Sequence, residues 1–173
     1  MSEFKIAKEK TAIVLIEPQN DFLSEGGTMY AFIKEQLAER NVIANLQDLL
    51  ERARGQVAKI FYVPFHSFEE GFPELKKGGP AYEGLRGIEI DMVADWGKGA
   101  WLRGTPGPEI IPQLTPKKGD IVVEGKKTLD AFHSTALDYL LRANEIENVV
   151  LLVFIRIGAW SPAHAPLMIR GIV

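Results

Sequence analysis

The chain has 173 residues, 46% of them hydrophobic and 25% charged, a composition typical of one globular domain rather than of a disordered chain. Its net charge of −3 gives no electrostatic basis for binding nucleic acid or an anionic membrane surface. No apolar stretch reaches the roughly 20 residues of a membrane-spanning helix, and the first residues form no secretory signal. We therefore expect a cytoplasmic protein without membrane or nucleic-acid partners.

Strand-like and helix-like segments alternate along the sequence, which predicts an α/β domain with a parallel sheet. The first run, residues 11–17, is apolar almost throughout, as in a strand buried on both faces. A helix with one apolar stripe follows, and we expect Asn41 at its N-cap and Gly55 just beyond its end. In chain order the predicted elements are a strand over 11–17, a helix over 41–54, strands over 57–63 and 120–124, a helix over 134–144 and a strand over 148–154.

The segment 67–116 is rich in glycine and proline, but it also holds aromatic residues, among them Trp96 and Trp101. A disordered linker usually lacks such residues, so we interpret this segment as an ordered excursion over the sheet. Ligand crevices of open α/β sheets lie at the carboxyl ends of the strands, where loops of this kind gather.

Two charged residues stand close behind predicted strands. Asp21 follows the first strand by four positions, where a partly desolvated carboxylate can act as a general base. Lys126 follows the third strand, where an ammonium group can hold an oxyanion or lower the pKa of a nucleophile. The local sequence leaves plainer interpretations open, namely an Asx turn or helix cap at Asp21 and a solvated surface lysine at Lys126.

Three parts of the sequence, in this order and spacing, resemble the isochorismatase-like cysteine hydrolases. They are the run from Thr11 to Leu23, the loop from Gly104 to Ile110, and the set formed by Lys126, Phe132 and Thr135. The likeness extends over residues 10–151. It implies a three-layer, doubly wound α/β fold with a mainly parallel sheet.

The resemblance also implies roles for individual residues. Asp21 would be the general base toward a thiol and Lys126 its electrostatic partner, with a small amide, ureide or vinyl ether as the substrate. The implied substrate-binding residues are Gln19, Phe22, His66, Trp101 and Phe132. A structural role for His66 and a place in the core for Trp101 are open alternatives. Glu17 stands where many members have aspartate, and we interpret this position as structural.

No cofactor is expected for this chain. Some members of the family bind zinc through aspartate and histidine, but the three histidines here, His66, His133 and His164, lack the spacing of metal ligands. Members commonly assemble as dimers or tetramers, so the resemblance implies a homo-oligomer that binds a small-molecule substrate.

The chain contains no cysteine, although the resemblance implies a nucleophilic cysteine after the fourth strand. Residues 155–160 offer no other nucleophile, and Ser161 is followed by Pro162. A one-base shift of the reading frame near residues 151–153 would explain this, because the shifted register can spell a family-like motif that includes cysteine. Under this hypothesis, 1–154 is an incomplete isochorismatase-like hydrolase domain, 155–173 is an atypical tail, and the last strands are missing or replaced.

The chain as written is then expected to be inactive, and its last strand to present an apolar edge that destabilises the monomer. The alternative is a natural non-catalytic relative that binds a small ligand or a subunit, but such a protein should keep a regular helix in place of the proline-rich tail. A nucleotide-binding module is disfavoured, because residues 18–21 are not the glycine-rich turn that approaches phosphate.

Overall fold

The computed structural model describes residues 7–80, 82–83, 100–127, 130–133 and 135–153. The strands in these residues are β1 (Thr11–Ile16), β2 (Lys59–Val63), β3 (Ile121–Val122) and β4 (Asn148–Val153). The α-helices are α1 (Asn20–Leu23), α2 (Tyr30–Glu39), α3 (Val42–Ala53) and α4 (Leu137–Ala143). Two short 3-10 helices span Lys8–Lys10 and Pro112–Leu114.

The described strands form one parallel sheet in the order β3-β2-β1-β4. Every residue of β1 is buried, which explains the uninterrupted apolar run of its sequence. Ile16, the last residue of β1, pairs with Val63 on one side and with Val153 on the other. β1 and β2 therefore end level with each other, and Val153, the last described residue of β4, lies beside Ile16 at the same edge of the sheet.

Each face of the sheet is covered by its own core cluster. Ile13 and Leu15 of β1 point to one face and pack in a cluster that includes Leu46 and Leu50 of α3. The alternate residues of β1 point to the other face, where the cluster includes Leu137 and Leu141 of α4. Helices on both faces of a parallel sheet confirm the predicted three-layer α/β fold.

The predicted elements reappear with shorter bounds, and α2 was not predicted. Its sequence gives a weak signal because only Ile33 and Leu37 are buried, while Phe32 is 61% exposed. Asn41 does precede α3, but it adopts a left-handed backbone with φ 47° and its side chain makes no capping bond. The Asn41 N–H donates to Ala38 O, so this residue satisfies a carbonyl of the last turn of α2 as well as preceding α3. Gly55 has φ +76°, as expected for the residue beyond a helix end.

Among the described strands, β4 lies at one edge of the sheet. β4 pairs with β1 alone among the described strands, and Val153 is 56% exposed. The predicted tail 155–173 lies outside the described residues, as do Trp96 and Ser134. In the part of the chain that is described, no helix combines the length and the apolarity that a membrane crossing requires.

Two neighbouring leucines on α3 test this packing. Leu50 is 2% exposed, whereas Leu49 is 38% exposed. Leu50→Ala should lower the free energy of unfolding by about 2–5 kcal/mol, because it leaves a cavity in the core. Leu49→Ala is the matched control and should change it by less than about 1 kcal/mol. Urea unfolding measures both, and equal losses in the two variants would contradict the assigned face of α3.

Candidate active site

The carboxyl ends of the strands gather residues from three segments of the chain. Glu17 follows β1 directly, Phe65 and His66 follow β2, and Lys126 follows β3. Phe65 and Lys126 form an isolated parallel bridge, and the His66 N–H donates to Lys126 O at 2.6 Å. The sheet thus extends briefly beyond β2 and β3, and this extension fixes Lys126 next to the end of β1.

Lys126 is fully buried, which excludes the alternative of a solvated surface lysine. Its ammonium group forms an ion pair with the carboxylate of Glu17, whose side chain keeps 13% exposure. The Lys126 Nζ atom also lies 4.7 Å from the centroid of the Phe65 ring. A buried cation needs such partners, because desolvation of an unpaired ammonium is costly.

The backbone at Glu17 brings its carboxylate to this position. The Glu17 N–H donates to Val63 O at 3.0 Å, which continues the ladder between β1 and β2 by one residue. The residue then takes φ 57°, a left-handed conformation that is uncommon outside glycine. The strand ends here, and the chain turns over the edge of the sheet.

Asp21 is fully buried, and both of its carboxylate oxygens accept hydrogen bonds. The Thr28 hydroxyl donates to Oδ1 at 2.5 Å, and the Trp101 main-chain N–H donates to Oδ2 at 2.8 Å. A methyl group at Gly107 would overlap with both oxygens, so the backbone there lies directly against the carboxylate. Burial raises the pKa of Asp21, and the hydrogen bonds from Thr28 and Trp101 oppose that rise.

Asp21 and Lys126 do not form an ion pair with each other. In the part of the chain that the structure describes, the partner of Lys126 is Glu17, and the partners of the Asp21 carboxylate are neutral donors. The roles that the resemblance implied for Asp21 and Lys126 toward a thiol stay predictions, and the ion pair in the structure joins Lys126 to Glu17.

The Gln19 side chain joins two loops. Its Nε2 atom donates to Phe65 O at 3.0 Å and to Pro108 O at 2.7 Å, and its Oε1 atom accepts the Phe65 N–H at 2.7 Å. Both amide donors are therefore used by the backbone, and Gln19 is fully buried. Its predicted contact with substrate stays a prediction.

The other predicted substrate residues lie on two sides of the sheet. Phe22 and Trp101 are buried in the cluster that faces α3, with ring centroids 5.6 Å apart, and Phe65 lies 4.9 Å from Trp101. Phe132 packs against the cluster that faces α4.

The His66 ring meets the Phe68 ring edge-on, with 5.1 Å between the ring centroids. Burial and the nearby charge of Lys127 lower the pKa of His66 and thus favour its neutral form.

The described residues contain no group of three His, Cys, Asp or Glu side chains that could hold a metal ion.

The comparison with known families identifies the chain. The family model of the isochorismatase domain matches residues 11–152. The chain belongs to the isochorismatase family. Among curated relatives, the ureidoacrylate amidohydrolase RutB of Rhizobium rhizogenes is 28% identical over 149 residues, which cover 83% of this chain and 58% of that protein. RutB of Acinetobacter baylyi is 27% identical over 150 residues, or 86% of this chain and 60% of that protein.

Several solved structures share the fold of this chain. A cysteine hydrolase from Pseudomonas syringae pv. phaseolicola matches with a TM-score of 0.63 and 23% identity, covering 87% of this chain and 64% of that one. The N-carbamoylsarcosine amidase from Thermoplasma acidophilum matches with a TM-score of 0.56 and 26% identity, covering 82% of this chain and 66% of that one. This isochorismatase-family chain spans about three fifths of the length of the curated relatives it matches.

Glu17 is the residue that sequence reasoning missed. Its position was interpreted as structural, and that interpretation stays a prediction, but the sequence did not indicate that its carboxylate pairs with the buried Lys126. One signal could have found it, since Glu17 is the first residue after a fully buried strand and stands where many family members have aspartate. Residues at that edge of a parallel sheet face the ligand crevice.

The raised pKa of Asp21 makes a prediction about stability. A carboxyl group whose pKa is higher in the folded chain binds its proton more tightly there. The free energy of unfolding therefore falls as pH rises from the ordinary pKa of 3.8 through the folded-state value. Asp21→Asn lacks this group, so the stability of the wild type relative to this variant should decrease as pH rises over that interval. Urea unfolding at a series of pH values measures the difference.

The exposed carboxyl of Asp48 provides the control for that series. The stability of the wild type relative to Asp48→Asn should show no comparable fall. A stability difference between the wild type and Asp21→Asn that stays constant or grows with pH would contradict the raised pKa.

Proposed function

We propose that this chain is a domain of an isochorismatase-family hydrolase that cleaves a small ureide or amide. The ion pair between Glu17 and Lys126 carries this proposal, because a carboxylate and a cation at the carboxyl edge of the sheet are the groups that thiol-dependent hydrolysis requires. The names of two relatives, ureidoacrylate amidohydrolase and N-carbamoylsarcosine amidase, both point to a ureido group. They favour a ureide over a vinyl ether as the substrate class.

In this proposal Glu17 takes the role of general base that the sequence suggested for Asp21. A general base must come within hydrogen-bonding distance of the proton that it removes. Glu17 keeps some exposure at the strand ends, whereas Asp21 is enclosed by Thr28, Trp101 and Gly107. Accessibility therefore favours Glu17, and Asp21 receives a supporting role.

The register of the sheet suggests where a nucleophile would act. Ile16, which directly precedes Glu17, pairs with Val153, so we propose that the nucleophile of the restored frame follows Val153 and acts beside Glu17. A thiol there would pass its proton to Glu17, the Lys126 ammonium would favour the thiolate, and the thiolate would attack the substrate carbonyl carbon. Glu17 would return this proton to the departing amine or ammonia, which leaves a thioester from an amide or a thiocarbamate from a ureide. Water would then hydrolyse this acyl group, release the carboxylic or carbamic acid and restore the thiol.

The chain as written lacks that thiol, since none of its 173 residues is cysteine. Removal of the nucleophile from such a site costs about six orders of magnitude in turnover. We therefore propose that this chain is inactive and that a one-base frame shift near residues 151–153 replaced the catalytic segment. We also propose a cytoplasmic location. We further propose a homo-oligomeric assembly, which analytical ultracentrifugation of the purified chain would test.

The first test is turnover by the chain as written. Ammonia release from a panel of ureides and primary amides should stay at the background rate. The protein translated from the restored reading frame should hydrolyse at least one of these compounds. Thiol-dependent hydrolysis by the 173-residue chain, or a restored frame that encodes no cysteine after β4, would contradict the proposal.

The second test assigns the general base in the frame-restored protein. Glu17→Gln should lower kcat by at least about a thousandfold, since a positioned base and its charge are both lost. Asp21→Asn should lower kcat less, by roughly ten- to a hundredfold. Glu147→Gln, which removes the carboxylate from an exposed pair with Lys10, is the control and should leave kcat unchanged. The reverse order for Glu17 and Asp21 would return the base role to Asp21.

A further inference from the structure

The buried Asp21 residue joins three segments of the chain. Its N–H donates to Gly107 O at 3.0 Å, and its C=O accepts the Met29 N–H at 2.8 Å. Its carboxylate accepts the Thr28 hydroxyl and the Trp101 N–H. Helix α1, the loop before α2 and the described segment 100–107 are therefore held together at one residue.

The bond from Trp101 has a specific consequence for that residue. Trp101 has φ 55°, a left-handed conformation that is unfavourable for a bulky side chain and that needs support from its surroundings. The Asp21 carboxylate supplies such support, because it accepts the Trp101 N–H. The main chain at Trp101 is held in this way, and its indole ring is placed by packing against Phe22 and Phe65.

The Trp101 ring leads to the Glu17–Lys126 pair through one further contact. Its centroid lies 4.9 Å from the centroid of Phe65, and the Phe65 centroid lies 4.7 Å from Lys126 Nζ. Phe65 also bridges Lys126 through the backbone. A displacement of Trp101 would thus be transmitted to the ring on which the ammonium group rests.

We propose that Asp21 is a positioning residue, which places the Lys126 ammonium group by fixing Trp101 against Phe65, and that Thr28 orients the Asp21 carboxylate. The inference rests on the proposed function in one respect, namely that the Glu17–Lys126 pair is the catalytic pair. It extends that function because Asp21 and Thr28 would help to place the Lys126 ammonium group without contacting the substrate themselves.

The charges around Asp21 agree with this task. In the described part of the chain its carboxylate has no cationic partner, and the charged groups at the same edge, Glu17 and Lys126, are paired with each other. The neutral donors of Thr28 and Trp101 are what hold the buried charge. Each bond to an ionised buried group is strong, so the loss of one donor should loosen the whole arrangement.

Nuclear magnetic resonance of the 173-residue chain tests the proposal without any turnover. The first measurement is hydrogen exchange at the Trp101 amide, and the second is the Cε chemical shift of Lys126. Asp21→Asn should speed exchange at Trp101 by about tenfold or more, as expected for loss of a bond to a charged group, and should shift the Lys126 signal. Thr28→Val should change both measurements in the same direction and Thr28→Ser should restore them.

Thr105 provides the matched control. It is also buried, but its hydroxyl donates to Leu102 O rather than to Asp21. Thr105→Val should leave the Lys126 signal unchanged. If Asp21→Asn fails to fold, the comparison of Thr28→Val with Thr28→Ser decides. An unchanged Lys126 signal in the folded Asp21 or Thr28 variants would overturn the proposal, and so would an equal shift in Thr105→Val.

These outcomes are separate from those of the proposed function. If Glu17→Gln of the frame-restored protein keeps its activity, the assignment of the catalytic pair fails while the coupling of Asp21 to Lys126 can still be measured. If the Lys126 signal does not respond to Asp21 but Glu17→Gln abolishes turnover, the positioning role fails and the catalytic pair stands.

Discussion

The ammonium group of Lys126 has no contact with solvent, and its neighbours in the site are the partners that a buried cation needs. A buried cation is tolerated only with a well-placed anion and further favourable contacts. Glu17 provides the anion and the Phe65 ring provides a second contact. Both lie directly beyond parallel strands that end level with each other, so the register of β1 and β2 brings the partners together.

A partly exposed and a buried carboxylate, Glu17 and Asp21, lie close together in sequence, and their surroundings differ. Glu17 faces a cation and retains some exposure. Asp21 is sealed among hydrogen-bond donors, and burial raises its pKa. Environments that differ in this way assign different tasks to chemically similar groups. In the function that we propose, the paired and partly exposed Glu17 transfers the proton, whereas the enclosed Asp21 supports neighbouring loops.

The sequence predicted the elements whose residues are patterned by the core. The apolar run of β1 and the apolar stripe of α3 arise because these residues are buried, and the sequence predicted both elements. Helix α2 was missed because its buried side is narrow and Phe32 is exposed. The third strand was predicted over five residues, but the ladder to β2 contains only Ile121 and Val122. The length of a ladder depends on both strands, so the local sequence of one strand does not predict where the pairing ends.

The partner of Lys126 could not be read from local patterns either. Asp21 and Glu17 both follow β1, and the choice between them depends on the left-handed turn at Glu17 and on the loop that brings Trp101 and Gly107 against Asp21. Such a loop lies eighty or more residues away in sequence. The family resemblance placed the candidate residues at the carboxyl edge of the sheet, while the pairing between Glu17 and Lys126 required the three-dimensional structure.

The coupling between Glu17 and Lys126 is the most direct test of this account. A double-mutant cycle with Glu17→Gln, Lys126→Met and the double variant measures this coupling free energy from the free energies of unfolding of the four proteins. Each single variant should lose about 3–5 kcal/mol, because each leaves one buried or partly buried charge unpaired. The double variant should lose less than the sum of the two losses, by at least about 1 kcal/mol. Losses that add to within about 0.5 kcal/mol would contradict a site built on this pair.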